Sequence, residues 1–149
     1  MSFLLDTNVI SEARKGGAAN PAVAKWFASA DPADLFLSVM VVGELRQGVE
    51  RARRRDPVFA QQLETWLVVM VDRYRSRILP IDQQIADLWG RLNVPNPLPV
   101  VDGLLAATAL AHDMTLVTRN TRQVAGTGAR LFDPFTGDHG ARATRSARM

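Results

Sequence analysis

Apolar positions along this chain fall into short strand-length runs separated by longer stretches of helical spacing. Ser2 to Leu5 reads as a first apolar strand, ending at Asp6, Thr7 and Asn8, which suit a turn or a helix cap. Asn20-Pro21 marks a helix start, with the helix over Ala22 to Ala30 and its stop at Asp31-Pro32. Leu35 to Leu37 give a second strand, and Ser38 is placed to cap the next helix. From Met40 to Arg55, Val41, Val42, Leu45, Val49 and Ala52 share one side while Arg46, Glu50, Arg53 and Arg54 share the other. Asp56-Pro57 restarts a helix that runs to Arg73 and turns apolar near its end, either for the core or for a contact between copies.

Ile78 to Ile81 form a brief extended piece, and Asp82 caps a helix to about Asn93. Pro95, Pro97 and Pro99 make a stiff loop. Val101 to Asp113 is apolar almost all round except at Asp102, Thr108 and His112, the pattern of a buried helix. Thr115 to Thr118 give a further strand, a short helical turn follows around Arg122, and Arg130 to Phe132 give the last strand. Strands alternating with helices, and no tight hairpin dipeptide between strands, predict an α/β three-layer sandwich with a central parallel sheet flanked by helices. The chain of 149 residues fits one domain, expected over 1–136. From Gly137 the sequence is polar, arginine-rich and aperiodic, which predicts a disordered basic tail over 137–149.

Composition narrows the chemistry. Cysteine is absent, removing disulfides, thiolate nucleophiles and cysteine zinc sites. The two histidines, His112 and His139, lie near a helix end and in the polar tail, so neither suits a triad. No apolar run reaches the roughly 18 residues that span a bilayer, and no signal peptide precedes the first strand, so a soluble cytoplasmic protein is expected. The net charge of +3 is carried largely by arginines clustered at 51–55 and 73–77, read first as solvated faces.

The acidic residues carry more information. In open α/β sheets, sites form where loops and helix starts meet the carboxyl ends of strands. Asp6 follows the first strand, Asp102 opens the buried helix, and Asn120 follows the Thr115 to Thr118 strand. Glu44 lies on the shoulder of the Val41-Leu45-Val49 stripe, with Gly48 one turn on leaving space for an ion or phosphate. Oxygen donors on separate loops suffice for a hard cation such as Mg²⁺, and clustered carboxylates repel one another without one. Each residue also has a plainer reading. Asp6 and Asp102 could cap helices, Glu44 could pair with Arg51, and Asn120 could be an ordinary turn residue.

The ordered set of motifs resembles the PIN domain ribonucleases, and within them the VapC and FitB type toxins of bacterial toxin–antitoxin pairs. The pieces are Phe3-Leu4-Leu5-Asp6-Thr7-Asn8, Ser38 leading to Gly43-Glu44-Leu45 and Gly48, and Val101-Asp102-Gly103-Leu104-Leu105-Ala106-Ala107-Thr108-Ala109. Leu116-Val117-Thr118-Arg119-Asn120-Thr121 and Phe132-Asp133-Pro134-Phe135 complete it, up to about Phe135. The resemblance implies a Mg²⁺- or Mn²⁺-dependent endoribonuclease with Asp6, Glu44 and Asp102 as its acidic, metal-holding triad. It implies Thr7 and Thr118 as orienting hydroxyls, Asn120 at the site, and Arg119 as a phosphate contact. A homodimer and a cognate antitoxin, its tail in a groove beside the site, follow from the same likeness. Where the family often carries a fourth carboxylate this chain offers Asn120 and Gln123, so one firmly held ion is expected and a second only with help from RNA phosphate. Two rival readings are a Mg²⁺-dependent phosphatase with Asp6 as nucleophile, which usually wants a second acid where Asn8 stands, and a non-catalytic nucleic-acid- or protein-binding module.

Overall fold

The structure, a computed structural model describing residues 1–139, is built on a five-stranded sheet in the order β3-β2-β1-β4-β5, parallel throughout. The strands are β1 (Phe3–Leu5), β2 (Leu35–Ser38), β3 (Ile78–Leu79), β4 (Thr115–Val117) and β5 (Arg130–Phe132). Six helices flank it: α1 (Thr7–Ala13), α2 (Pro21–Ser29), α3 (Val39–Arg55), α4 (Pro57–Arg73), α5 (Gln83–Leu92) and α6 (Val100–Ala111). The expected α/β sandwich is therefore present. Among the described residues no helix is long and apolar enough to cross a membrane.

The central strands are continuous apolar runs because parallel strands are covered on both faces. Leu4, Leu5, Leu37, Leu116 and Val117 are all but inaccessible. Polar residues set the helix starts. Asn20, Ser38, Asp56 and Asp82 each accept a backbone N–H inside the helix that follows, and Asp6 does the same for α1. Such caps contribute about 1 kcal/mol each. At the other end of α6, Asp113 adopts a left-handed conformation (φ 54°) and Met114 N–H closes on Ala109 C=O at 2.8 Å, ending the helix in the manner usual for glycine.

Small residues let α6 sit close to its neighbours. Gly103, Ala106, Ala107 and Ala109 are buried, and a Cβ on Gly103 would lie 3.1 Å from the Trp89 ring of α5 and 3.4 Å from Leu98 Cβ. On the end of α4, Leu67 and Met70 enter the core while Val68 and Val69 stay in solvent.

Three local expectations shift. The segment after Asn8 is a full helix, α1, that the sequence reading did not delimit. The helical turn expected around Arg122 is a hydrogen-bonded turn, and the 3₁₀ turn falls later, at Ala125–Thr127. Of the expected disordered tail, Gly137 to His139 are folded back: Gly137 N–H bonds Asp133 C=O, Asp133 pairs with Asp138, and the His139 ring lies 5.1 Å from that of Phe132. The remainder, 140–149, lies outside the described residues.

Two helical glycines separate packing from propensity. Gly90→Ala, with open space around the new methyl, should raise unfolding free energy by about 0.5–1 kcal/mol. Gly103→Ala should lower it by about 1 kcal/mol or more, because Trp89 and Leu98 must yield. Urea denaturation of both variants checks this, and equal stabilisation by the two would refute the tight α5–α6 contact.

Candidate active site

The strand order reverses between β1 and β4, and the loops leaving these two strands diverge there to open a crevice. Asp6 stands at the end of β1, and Thr118, Arg119 and Asn120 follow β4. Ser38 ends β2 and starts α3, which carries Glu44 a turn and a half later. The chain returns to begin β4 through α6, so the first turn of that helix, with Asp102, lies at the same edge. Residues from four separate stretches thereby meet through backbone geometry alone.

Asp6 is 4% exposed, and both its oxygens are engaged. Thr7 N–H donates to Oδ1 at 2.6 Å, Thr118 Oγ1 donates to Oδ2 at 2.6 Å, and the Asn8 amide donates to Oδ2 at 3.4 Å. Thr118, itself buried, accepts from Asn120 N–H at 2.9 Å, so the hydroxyl has one rotamer that serves both. Thr7 Oγ1 donates to Glu44 Oε1 at 2.6 Å and ties α3 to the end of β1. Glu44 is thus held by Thr7 rather than by Arg51. Asp102 does not cap α6, whose N-cap position belongs to Pro99. It is half-buried, and the Asn120 side chain beside it favours its charged form.

Electrostatics binds the three acids into one unit. Burial pushes the Asp6 carboxyl up to about 6, against the pull of the Thr118 and Thr7 hydrogen bonds, and the charges of Asp102 and Glu44 add to the rise. Asp102 is also raised, first by burial, with Glu44 contributing and the Asn120 hydrogen bond opposing. Among the described residues no three acids or histidines close to ligand distance of a common point. Every donor at this edge is nonetheless a hard oxygen, and mutual repulsion is what a divalent cation relieves. An octahedral ion that keeps several waters needs only one or two direct carboxylates, so the residues present fit such an ion.

Arg119 lies beside the site. Its N–H donates to Asn8 Oδ1 at 3.3 Å, and its guanidinium stacks 4.4 Å from the Phe135 ring centroid. Gln123 is exposed. The sequence reading passed over Asn8 as a participant, although its spacing of two from Asp6 was the available signal.

A PIN domain family model matches residues 3–126. The chain is 32% identical to Toxin FitB of Neisseria gonorrhoeae over 140 residues, covering 89% of this chain and 98% of that protein. It is 33% identical to VapC ribonuclease Y4jK of Sinorhizobium fredii over 142 residues, covering 89% and 97%. Among solved structures, FitAB bound to an IR36 DNA fragment superposes with a TM-score of 0.77 at 30% identity, covering 93% of this chain and 99% of that one.

The raised Asp6 has a pH signature. An acid with a folded pKa of about 6 against an ordinary 3.8 keeps its proton longer when folded, so its contribution is most favourable below pH 4 and is lost as pH rises through 4 to 6. Asp6→Asn removes that loss. In metal-free buffer the difference in unfolding free energy between variant and wild type should move in the variant's favour by about 2–3 kcal/mol between pH 4 and pH 7.5. Denaturant titrations at the two pH values measure it, and a gap independent of pH would contradict the buried-acid account.

Proposed function

The chain belongs to the PIN domain family, and on that premise we propose that it is a Mg²⁺- or Mn²⁺-dependent endoribonuclease, the toxin of a toxin–antitoxin pair acting in the cytoplasm. The observation that carries this reading is the hydrogen-bonded frame in which Asn120 N–H supports Thr118, Thr118 fixes Asp6 and Thr7 fixes Glu44. Frames of this kind orient ligands and tune their basicity. The names of the relatives, a toxin and a ribonuclease, supply the biological setting.

In this reading Asp6, Glu44 and Asp102 would hold the cation, one or two of them directly and the rest through its waters. When bound, it offsets charge on the phosphodiester and makes a water acidic enough to attack near neutral pH. Thr118 and Thr7 hold the acids in fixed orientations, so that little reorganisation is needed when substrate arrives. Asn120 holds Asp102 and the start of the β4 loop. Arg119, braced on Phe135, offers its fork to a phosphate oxygen. RNA is the substrate, a cognate antitoxin the partner, and a homodimer the assembly.

The phosphoryl-transfer alternative asks Asp6 to be a nucleophile. Both of its oxygens are already occupied by donors and Asn8 adds an amide, which blunts nucleophilicity and favours the role of a ligand.

The test is cleavage of a defined RNA pool. Wild-type chain should cut in Mg²⁺, lose activity in EDTA and recover on re-addition of Mg²⁺ or Mn²⁺. Asp102→Ala should lose activity about a hundredfold or more, and Thr118→Val about 10–100-fold, both with unchanged circular dichroism. Cleavage that survives chelation, or an Asp102→Ala variant as active as wild type, would overturn the proposal.

A further inference from the structure

Arg119 follows Thr118, whose hydroxyl bonds Asp6, yet among the described residues this arginine forms an ion pair with none of the three acids. A guanidinium fork matches a carboxylate through two parallel hydrogen bonds. Something must therefore keep the two apart.

The restraint comes from α1, where Asn8 and Glu12 stand one turn apart on a shared face. The Asn8 amide works in two directions: Oδ1 accepts the Arg119 N–H at 3.3 Å, and Nδ2 donates to Asp6 Oδ2 at 3.4 Å. It sets where the arginine's backbone stands relative to the buried acid. Glu12 acts on the side chain. Its charged form is favoured first by Lys15, 2.7 Å away, against burial, and then by the Asn20 backbone and the charge of Arg119. The charges acting on Asp6 are instead those of Asp102 and Glu44, both of like sign. The guanidinium also lies 4.4 Å from the Phe135 ring centroid, and Phe135 is anchored by its own N–H on Asp133 Oδ1 at 2.8 Å.

We infer that Asn8 and Glu12 are positioning residues for Arg119, holding its guanidinium off the acidic edge so that the acids stay open to a cation and the arginine to a phosphate. The inference rests on the nuclease reading for the use made of both. Released from α1, the same guanidinium would swing onto the acids and occupy oxygens that a cation needs. Glu12 suits the task because Lys15 already takes up its contact. It attracts Arg119 without a contact ion pair and leaves the donors of the fork unspent.

The test begins without metal or RNA. In EDTA, NMR relaxation of the Arg119 Nε–H should show the wild-type side chain ordered on the ps–ns timescale, and Asn8→Ala and Glu12→Gln should each lower that order. Mn²⁺ binding to the full chain, followed by electron paramagnetic resonance, reads the consequence for the acids. Glu12→Gln should weaken it about tenfold, and the double variant Glu12→Gln/Arg119→Gln should recover wild-type affinity, because the competing cation is gone. A residue that merely joined α1 to the start of α2 would not be rescued in this way. With Mg²⁺ and the RNA pool, Glu12→Gln should raise KM, while circular dichroism shows every variant folded. Unchanged Arg119 order or Mn²⁺ affinity in Glu12→Gln, or a lost affinity that the double variant does not regain, would overturn the positioning role. In that case RNA cleavage by wild type would leave the nuclease reading standing. If the relaxation and Mn²⁺ results hold but wild type never cuts RNA, the nuclease reading fails and the positioning role stands.

Discussion

A carboxylic acid held out of water at the end of the central strand is the constraint from which the rest of this structure follows. An ionised group so placed is costly unless donors surround it. Asp6 obtains them from Thr7 in its own chain segment and from Thr118 more than a hundred residues away. The second bond exists only if β1 and β4 pair in the observed register, with Leu5 beside Val117 and Asp6 N–H on the Val117 carbonyl. A slip of one residue would point Thr118 elsewhere and leave the acid unsatisfied. Sheet register and site geometry are therefore fixed by the same interaction, and the apolar core around Leu4, Leu5, Leu116 and Val117 supplies the energy that holds it.

Most of the fold was legible because its signals are local. Asn20, Ser38, Asp56 and Asp82 mark helix starts through their own side chains, and the continuous apolar strands announce burial on both faces. What escaped was α1. Its cap, Asp6, was also a candidate ligand, and its short length of Thr7–Ala13 gives little periodicity to read. The turn after β4 was misplaced for a related reason, since its bends depend on Gly128 in a left-handed conformation and on tertiary contacts rather than on a repeating pattern. Asp6, Glu44, Asp102, Thr7, Thr118 and Asn120 could each be picked out from position relative to strands or from motif likeness. Which hydroxyl serves which carboxylate depends on register between distant segments, and no spacing in the sequence encodes that.

The arginines illustrate a different limit. Counted along the sequence, the cluster at 51–55 is the obvious basic patch. In space Arg53 is drawn to Glu50 and Glu64, and Arg46 joins the same network. Exposed pairs of this kind add little stability, but they lower the free positive charge on that face. Arg14 and Arg119 lie outside those arginine clusters, and each instead leans on an aromatic ring near the acids. Stacking keeps the guanidinium charge unneutralised while limiting its freedom, which is the state a phosphate-binding group needs.

Asn120 alters the charge balance at the edge. A carboxylate there would repel Asp102 and raise its pKa further, whereas the amide favours the charged form and opposes the effect of burial and of Glu44. The same residue's backbone N–H supports Thr118, which in turn supports Asp6. One neutral residue thus steadies two acids at once and leaves at most three formal negative charges to be balanced. Two divalent ions would overcompensate that number unless a substrate phosphate shared them. In the proposed nuclease the free chain therefore favours a single ion, and any second one arrives only with the RNA.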